Sequence, residues 1–376
     1  MKFILGHKKL FIKLLVLSIL LVIFISFLIL KTNQGVCEWW TRNFAKTYLY
    51  VFGNMNKYMP FSLTELILMI LLIISLIFLV SCIVYLFKRK FRRSLHRLLN
   101  VAIVAMSVLT LYQVTAEMAY NREPLNLPLY QEKVEKEEFL DIIEYFIDDV
   151  NECCEHLEFK ENGDLVEPYA LPDLNRELLK DYEVYEGDYL FKFTTYTKPM
   201  ISSFMYREFH ITGVTFMPTA EANVNTMNVA AGKPFTCAHE LAHTKGAMRE
   251  EDADLVAAYI TLQSSDYYVR YSGYYYTIAS LLSLANYSGV EDAYSTMTSN
   301  LHPNFIKNLR FNRAYWDKHN SWQKFASWWN DIYLKLSGEK QGTDSYGDNT
   351  PTVDPGTKEI TSFSSYQKLY FSLYYK

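Results

Sequence analysis

Three long apolar runs open the chain, and a different rhythm follows them. Leu14 to Leu30, Leu66 to Phe87 and Leu98 to Ala116 are nearly unbroken stretches of aliphatic and aromatic residues. A helix of about 20 such residues is what a bilayer requires, so each is read as a transmembrane helix. The first run is longer than the apolar part of a signal peptide, and "ILKTNQG" after it offers no small-residue cleavage site, which makes it an anchor. Lys2, Lys8, Lys9 and Lys13 precede that run, and "KRKFRRSLHR" between the second and third runs holds six Lys or Arg in ten residues. Cytoplasmic loops carry the basic excess. The expected topology is therefore a cytoplasmic N-terminus in the cell membrane, three crossings, and everything after Tyr120 outside the cytoplasm.

Beyond the third run the pattern changes to amphipathic. Phe139, Ile143, Phe146, Val150, Cys153 and Leu157 recur at steps of three or four, which predicts a helix from Glu138 to Leu157 with its acids in water. Pro168, Pro172 and "YEGDY" interrupt the pattern. The β-branched and aromatic residues after Leu190 then predict one or two strands ending near Pro218. Further helices are expected to about Leu336, followed by a Gly, Ser, Asp and Pro-containing linker to about Thr357. The fold class is mainly α, divided into a membrane region at 1–119, a helical domain with a short β segment at 120–336, and a linker with a C-terminal tail at 337–376.

Charge and cysteine content narrow the function. The net charge is only -4, and Gln131 to Leu190 carries 20 acidic against 5 basic side chains. That local excess would repel phosphate, which excludes a nucleic-acid partner. The five cysteines form neither a disulfide framework nor a C-x-x-C zinc pair, and Cys153 and Cys154 read as core residues of a helix.

The chemistry gathers in "FTCAHELAHTKGAMREEDADLVAAY", from Phe235. His239 and His243 are four apart, so on a helix they share a face one turn apart and can bind one metal ion. Glu240 beside them can reach a water. Pro234 suits the first turn of this helix, Gly246 its C-terminal cap, and Ala238 and Ala242 admit a close neighbour. Gly246 would turn the chain back into a second helix from about Met248. There Glu250 and Asp254 share a face with Ala253, Ala257 and Ala258. Glu250 is the expected third ligand, with Asp254 behind it orienting a ligand imidazole; Glu251 and Asp252 are the competitors. An acid-rich helix N-terminus would by itself account for the acids, but not for the histidine pair.

The HExxH pattern followed by Glu-x-x-x-Asp resembles the gluzincin metallopeptidases. That resemblance implies a zincin-like domain in which the Glu is a zinc ligand and the Asp supports a ligand histidine. Six residues separate His243 from Glu250, fewer than in gluzincins; a metzincin would have a histidine where Arg249 stands. "AYNREPLNLP", "GVTFMPTAEANVN", "HELAHTKGAMREEDADLVAAY" and "YLKLSGEKQGTDSYG" together resemble a family of bacterial membrane proteins described as a domain of unknown function with a zinc-peptidase-like motif.

Outside the motif, Glu221, Asn223 and Asn225 alternate, so an extended segment would present three polar groups to a substrate backbone added at its edge; side-chain capping of a turn explains them equally. His302 could stabilise an oxyanion, or serve as an interhelical histidine. The tyrosines after Tyr267 read first as core. The expected protein is a membrane-anchored Zn2+ metallopeptidase with Glu240 as general base and a peptide or protein substrate. The rival expectations are a non-catalytic membrane sensor or scaffold that keeps the zinc site, and a metallohydrolase for a non-peptide envelope amide.

Overall fold

The computed structural model describes residues 2–337, 342–345, 349–357 and 359–376. Parts of the expected linker and tail, at 338–341, 346–348 and 358, lie outside the described residues. The chain is mainly helical, 67% helix against 5% strand. It divides into one unit of Met1–Glu123 with Phe216–Glu221, and another of Pro124–Thr215 with Ala222–Lys376.

In the first unit the helices are α1 (Lys2–Leu30), α2 (Gln34–Trp40), α3 (Lys46–Asn56), α4 (Leu63–Phe87), α5 (Phe91–Tyr112) and the short α6 (Met118–Tyr120). Three stretches, Lys8–Leu30, Leu63–Phe87 and Phe91–Tyr120, are long and apolar enough to cross a membrane. The second begins earlier than its apolar run because Ser62 caps it, its Oγ accepting the Glu65 N–H at 3.1 Å. A π-helical turn at Gln113–Glu117 joins α5 to α6. Its altered hydrogen bonding coincides with a carbonyl, that of Val114, which accepts the Trp40 Nε1–H at 2.9 Å. Fully buried Arg122 pairs through Nε and Nη2 with both carboxylate oxygens of Glu38, each at 2.9 Å. Glu221 also lies in this unit. Its carboxylate accepts the Thr64 N–H at 2.6 Å and the Leu63 N–H at 3.2 Å, where the positive end of the α4 dipole favours an anion.

The second unit holds α7 (Phe139–Glu155), α8 (Leu171–Asp181), β1 (Thr197–Pro199), α9 (Ser203–Glu208), β2 (Gly213–Phe216, its last residue in the first unit), β3 (Glu221–Val224, its first residue in the first unit), α10 (Lys233–Thr244), α11 (Glu250–Thr261), α12 (Tyr267–Ser283), α13 (Ala293–Ser299), α14 (Pro303–Lys318), α15 (Gln323–Ser337), β4 (Thr352–Val353), β5 (Ile360–Ser362) and α16 (Ser365–Tyr374). The strand region is more broken than its composition suggests: α9 intervenes, and the three strands order as β1-β3-β2 with β1 parallel to β3. In α7, Phe139, Ile143, Phe146, Val150, Cys153 and Cys154 are buried, so both cysteines are core residues. Burial pushes their thiols up to about 12, which makes them inert as nucleophiles.

α10 is buried along nearly its whole length, which fits a helix running through the interior. Against it lies α11, whose Ala253, Ala257 and Ala258 are fully buried; small side chains there let the two backbones approach. α12 buries Tyr268, Tyr271 and Tyr274 in the core, with Tyr267, Tyr275 and Tyr276 partly buried against it. The C-terminal segment, set apart in the sequence as a tail, returns to this core through α16. Tyr366, Leu369, Tyr370 and Phe371 are buried there. Gln367, part of the capping box that starts α16, also donates to Ser280 O at 3.1 Å and Ser283 Oγ at 2.8 Å on α12. The apolar side of this helix has only four anchors, too few for a sequence pattern to separate it from a solvated tail.

Candidate metal centre

Two helices and the turn between them place the site. α10 starts with Pro234 in its first turn and ends at a turn where Gly246 takes φ 97°, a left-handed conformation that costs glycine little. The Ala247 N–H bonds back to Ala242 O at 3.0 Å. This reversal brings α11 alongside α10 only a few residues after His243.

The imidazoles of His239 and His243 are edge to face, with centroids 4.7 Å apart. Each is tied from behind. His239 Nδ1 bonds Asp254 Oδ1 at 2.7 Å, and His243 Nδ1 bonds the Ala247 carbonyl at 2.7 Å. Both oxygens are acceptors, so both rings carry the proton on Nδ1 and turn Nε2 the other way. Both Nε2 atoms face Glu250 Oε2, at 3.2 Å from His239 and 3.7 Å from His243. One ligand atom from each of these three residues lies within 4.8 Å of the other two, a group that could hold a metal ion among the described residues. Two imidazole nitrogens and one carboxylate oxygen, with the nitrogens fixed by their own hydrogen bonds, are a donor set that suits zinc.

Electrostatics of the cluster follow from burial and from the acids. Burial alone would lower the His239 pKa, but the Asp254 and Glu250 carboxylates outweigh it and raise it well above its usual value. His243 is pushed down by burial to about 4, so it is neutral near pH 7 and its Nε2 lone pair is available.

Glu240 is buried on the same helix, beside the cluster. Burial pushes its carboxyl up to about 7, against the opposing pull of the His239 cation and of a hydrogen bond from Thr215. Thr215 Oγ1 lies 2.7 Å from Glu240 Oε2 and 2.9 Å from the Glu240 carbonyl. Two residues earlier, Gly213 passes so close that a Cβ there would stand 2.6 Å from Glu240 Cγ and against its Oε1. Gly213 and Thr215 were missed as site residues in the sequence. The signal for them was a small residue and a hydroxyl two apart on one face of a strand, in a stretch read for its strand-forming residues and not for what they could touch.

The competitors of Glu250 are engaged elsewhere. Asp252 Oδ2 accepts from Arg249 Nε at 2.8 Å and from the Tyr189 hydroxyl at 3.2 Å. Exposed Glu251 accepts from Ser365 Oγ at 3.3 Å. The residues expected to bind substrate are not gathered here. Glu221 caps α4. β3 is the middle strand of its sheet, so it has no open edge. Asn223 Nδ2 donates to Val214 O at 3.2 Å, and Asn225 is spent on Ile211 O and the Met227 N–H, each at 2.9 Å. His302 caps α14, its Nδ1 accepting the Asn304 N–H at 3.2 Å.

No curated protein and no solved structure matches the chain. A family model described as "Protein of unknown function (DUF3810)" matches residues 40–351, and the chain belongs to that family.

Proposed function

We propose that this protein is a membrane-anchored zinc metallopeptidase. One observation carries the reading: the Nε2 atoms of His239 and His243 converge with Glu250 Oε2, next to a buried carboxylate on the same helix. Zinc would be held by His239, His243 and Glu250, and would supply a Lewis acid that acidifies water and polarises a carbonyl. Asp254 and the Ala247 carbonyl hold the two rings with both Nε2 atoms toward Glu250 Oε2, where the ion would be held. Glu240 takes the proton of the attacking water and passes it to the departing amine. A carboxyl that burial pushes up to about 7 is suited to gain and lose a proton near neutrality. Thr215 donates to that carboxylate and Gly213 leaves it room.

Purified protein after metal-replete expression is expected to hold about one zinc per chain and to cleave an unfolded protein such as casein in a chelator-sensitive way. Zinc without hydrolysis would favour a sensor or a non-peptide amide as substrate; absence of stoichiometric metal would remove the reading altogether. The peptidase unit lies outside the cytoplasm in this proposal, because the basic residues crowd before the first span and between the second and third. Alkaline phosphatase fused after Lys376 is then expected to be active and green fluorescent protein fused there dark. The reverse pair would mean an even number of crossings or an N-terminus outside the cytoplasm.

A further inference from the structure

The second unit concentrates exposed apolar side chains on two neighbouring elements. α9 exposes Phe204 and Met205, Ile201 is exposed two residues before it, and α15 with its leading residue exposes Trp322, Phe325 and Trp329. The two elements touch: the Trp322 N–H donates to Glu208 O at 3.0 Å, and the rings of Phe209 and Trp322 are 6.1 Å apart. On α15, at about 100° per residue, Phe325, Trp329 and Leu336 fall within about 40° of one another, while Ser327, Asn330 and Asp331 lie on the opposite side together with buried Leu334, which packs inward. Trp329 is 60% exposed and Leu336 74%. An aromatic stripe of this size facing water is unusual for a folded surface unless something covers it.

We infer that the face formed by α9 and α15 docks on the bilayer surface, as a contact additional to the three spans. Three observations favour lipid over a protein. Tryptophan and phenylalanine on one side of a helix and polar groups on the other is the pattern of helices that lie in the interface plane. Lys324 and Lys335 flank the stripe about 80 to 100° to one side, where long basic side chains reach lipid phosphates; Lys335 also pairs with Asp331. The third is continuity of the chain. Eight residues after Glu208, at Phe216, the polypeptide passes into the membrane-spanning unit, where Glu221 caps the second span. α9 is thus tied by a short connection to the start of a membrane helix, and the apolar face has bilayer at high effective concentration. The inference stands apart from the metallopeptidase reading and survives or fails without it.

The test uses the full-length protein in nanodiscs of phosphatidylethanolamine and phosphatidylglycerol, with a nitroxide on single introduced cysteines. The native cysteines are buried, and the unsubstituted chain gives the labelling background. Phe204→Cys, Phe325→Cys and Trp329→Cys place the label on the face, and Ser327→Cys places it opposite; Leu336→Cys repeats the reading at the far end of α15 should a more central variant fail to fold. The expected result is a several-fold higher ratio of oxygen to nickel-chelate collisions on the face than at Ser327→Cys. Nickel access on the face equal to that at Ser327→Cys would overturn the inference, because the face would then be in water. Shielding from both reagents would also overturn it, because a second copy or another protein would then cover the stripe.

Discussion

Alanine at His239, His243 or Glu250 is expected to strip zinc from the purified protein. Each supplies one of three donors that converge within 4.8 Å, and two remaining donors leave the ion mostly to water. The loss should exceed the roughly 10 to 100-fold weakening that follows removal of a supporting group. That smaller effect is the expectation for Asp254→Ala, which frees the His239 ring to rotate but leaves its nitrogen in place. Asp252→Ala and Glu251→Ala should retain full occupancy, since one carboxylate is held by Arg249 and Tyr189 and the other by Ser365. Metal content measured across this series separates the four acids. Full zinc in Glu250→Ala with loss in Glu251→Ala or Asp252→Ala would reassign the third ligand and leave a metal reading standing, whereas full zinc in both histidine variants would end it.

The features that were legible in the sequence are those set by neighbours along the chain. Membrane-length helices follow from unbroken apolar runs. His239 and His243 must share a face because they are four apart on a helix, and a glycine at 246 followed by small residues on one side of the next helix brings Glu250 and Asp254 toward them. The features that were not legible depend on groups far apart in sequence. The Glu221 carboxylate is drawn to the α4 N-terminus, 157 residues away, so its alternation with Asn223 marks a strand interior and a cap, not a substrate edge. Thr215 meets Glu240 across 25 residues. The Ala247 carbonyl that fixes His243 has no side-chain signature at all. α16 joins the core through hydrogen bonds to α12 that no local pattern encodes.

Glu240→Gln is expected to keep the metal and lower hydrolysis by about 10^2 to 10^4-fold, the usual worth of a general base. The amide matches the carboxylate in shape and its oxygen can still accept from Thr215, so the helix and the two histidines should be undisturbed, but it takes no proton at neutral pH. Gly213→Ala reaches the same group without altering it. Gly213 has no left-handed φ, so an alanine is compatible with its backbone and any cost arises from space alone. The three atoms nearest to the added Cβ all belong to Glu240, with Cγ at 2.6 Å. The flexible end of that side chain has to move, by something near 1 Å, and a misplacement of that size costs about 100-fold in rate. Zinc content should stay at the unsubstituted level, because none of those three atoms belongs to a ligand. A variant with normal zinc and normal turnover would show that the Glu240 carboxylate can be displaced freely, and its role as the base would then be untenable. A variant with normal zinc, an unchanged melting temperature and turnover reduced toward that of Glu240→Gln would tie the proton transfer to the position of one carboxylate, which metal loss at the histidines cannot do.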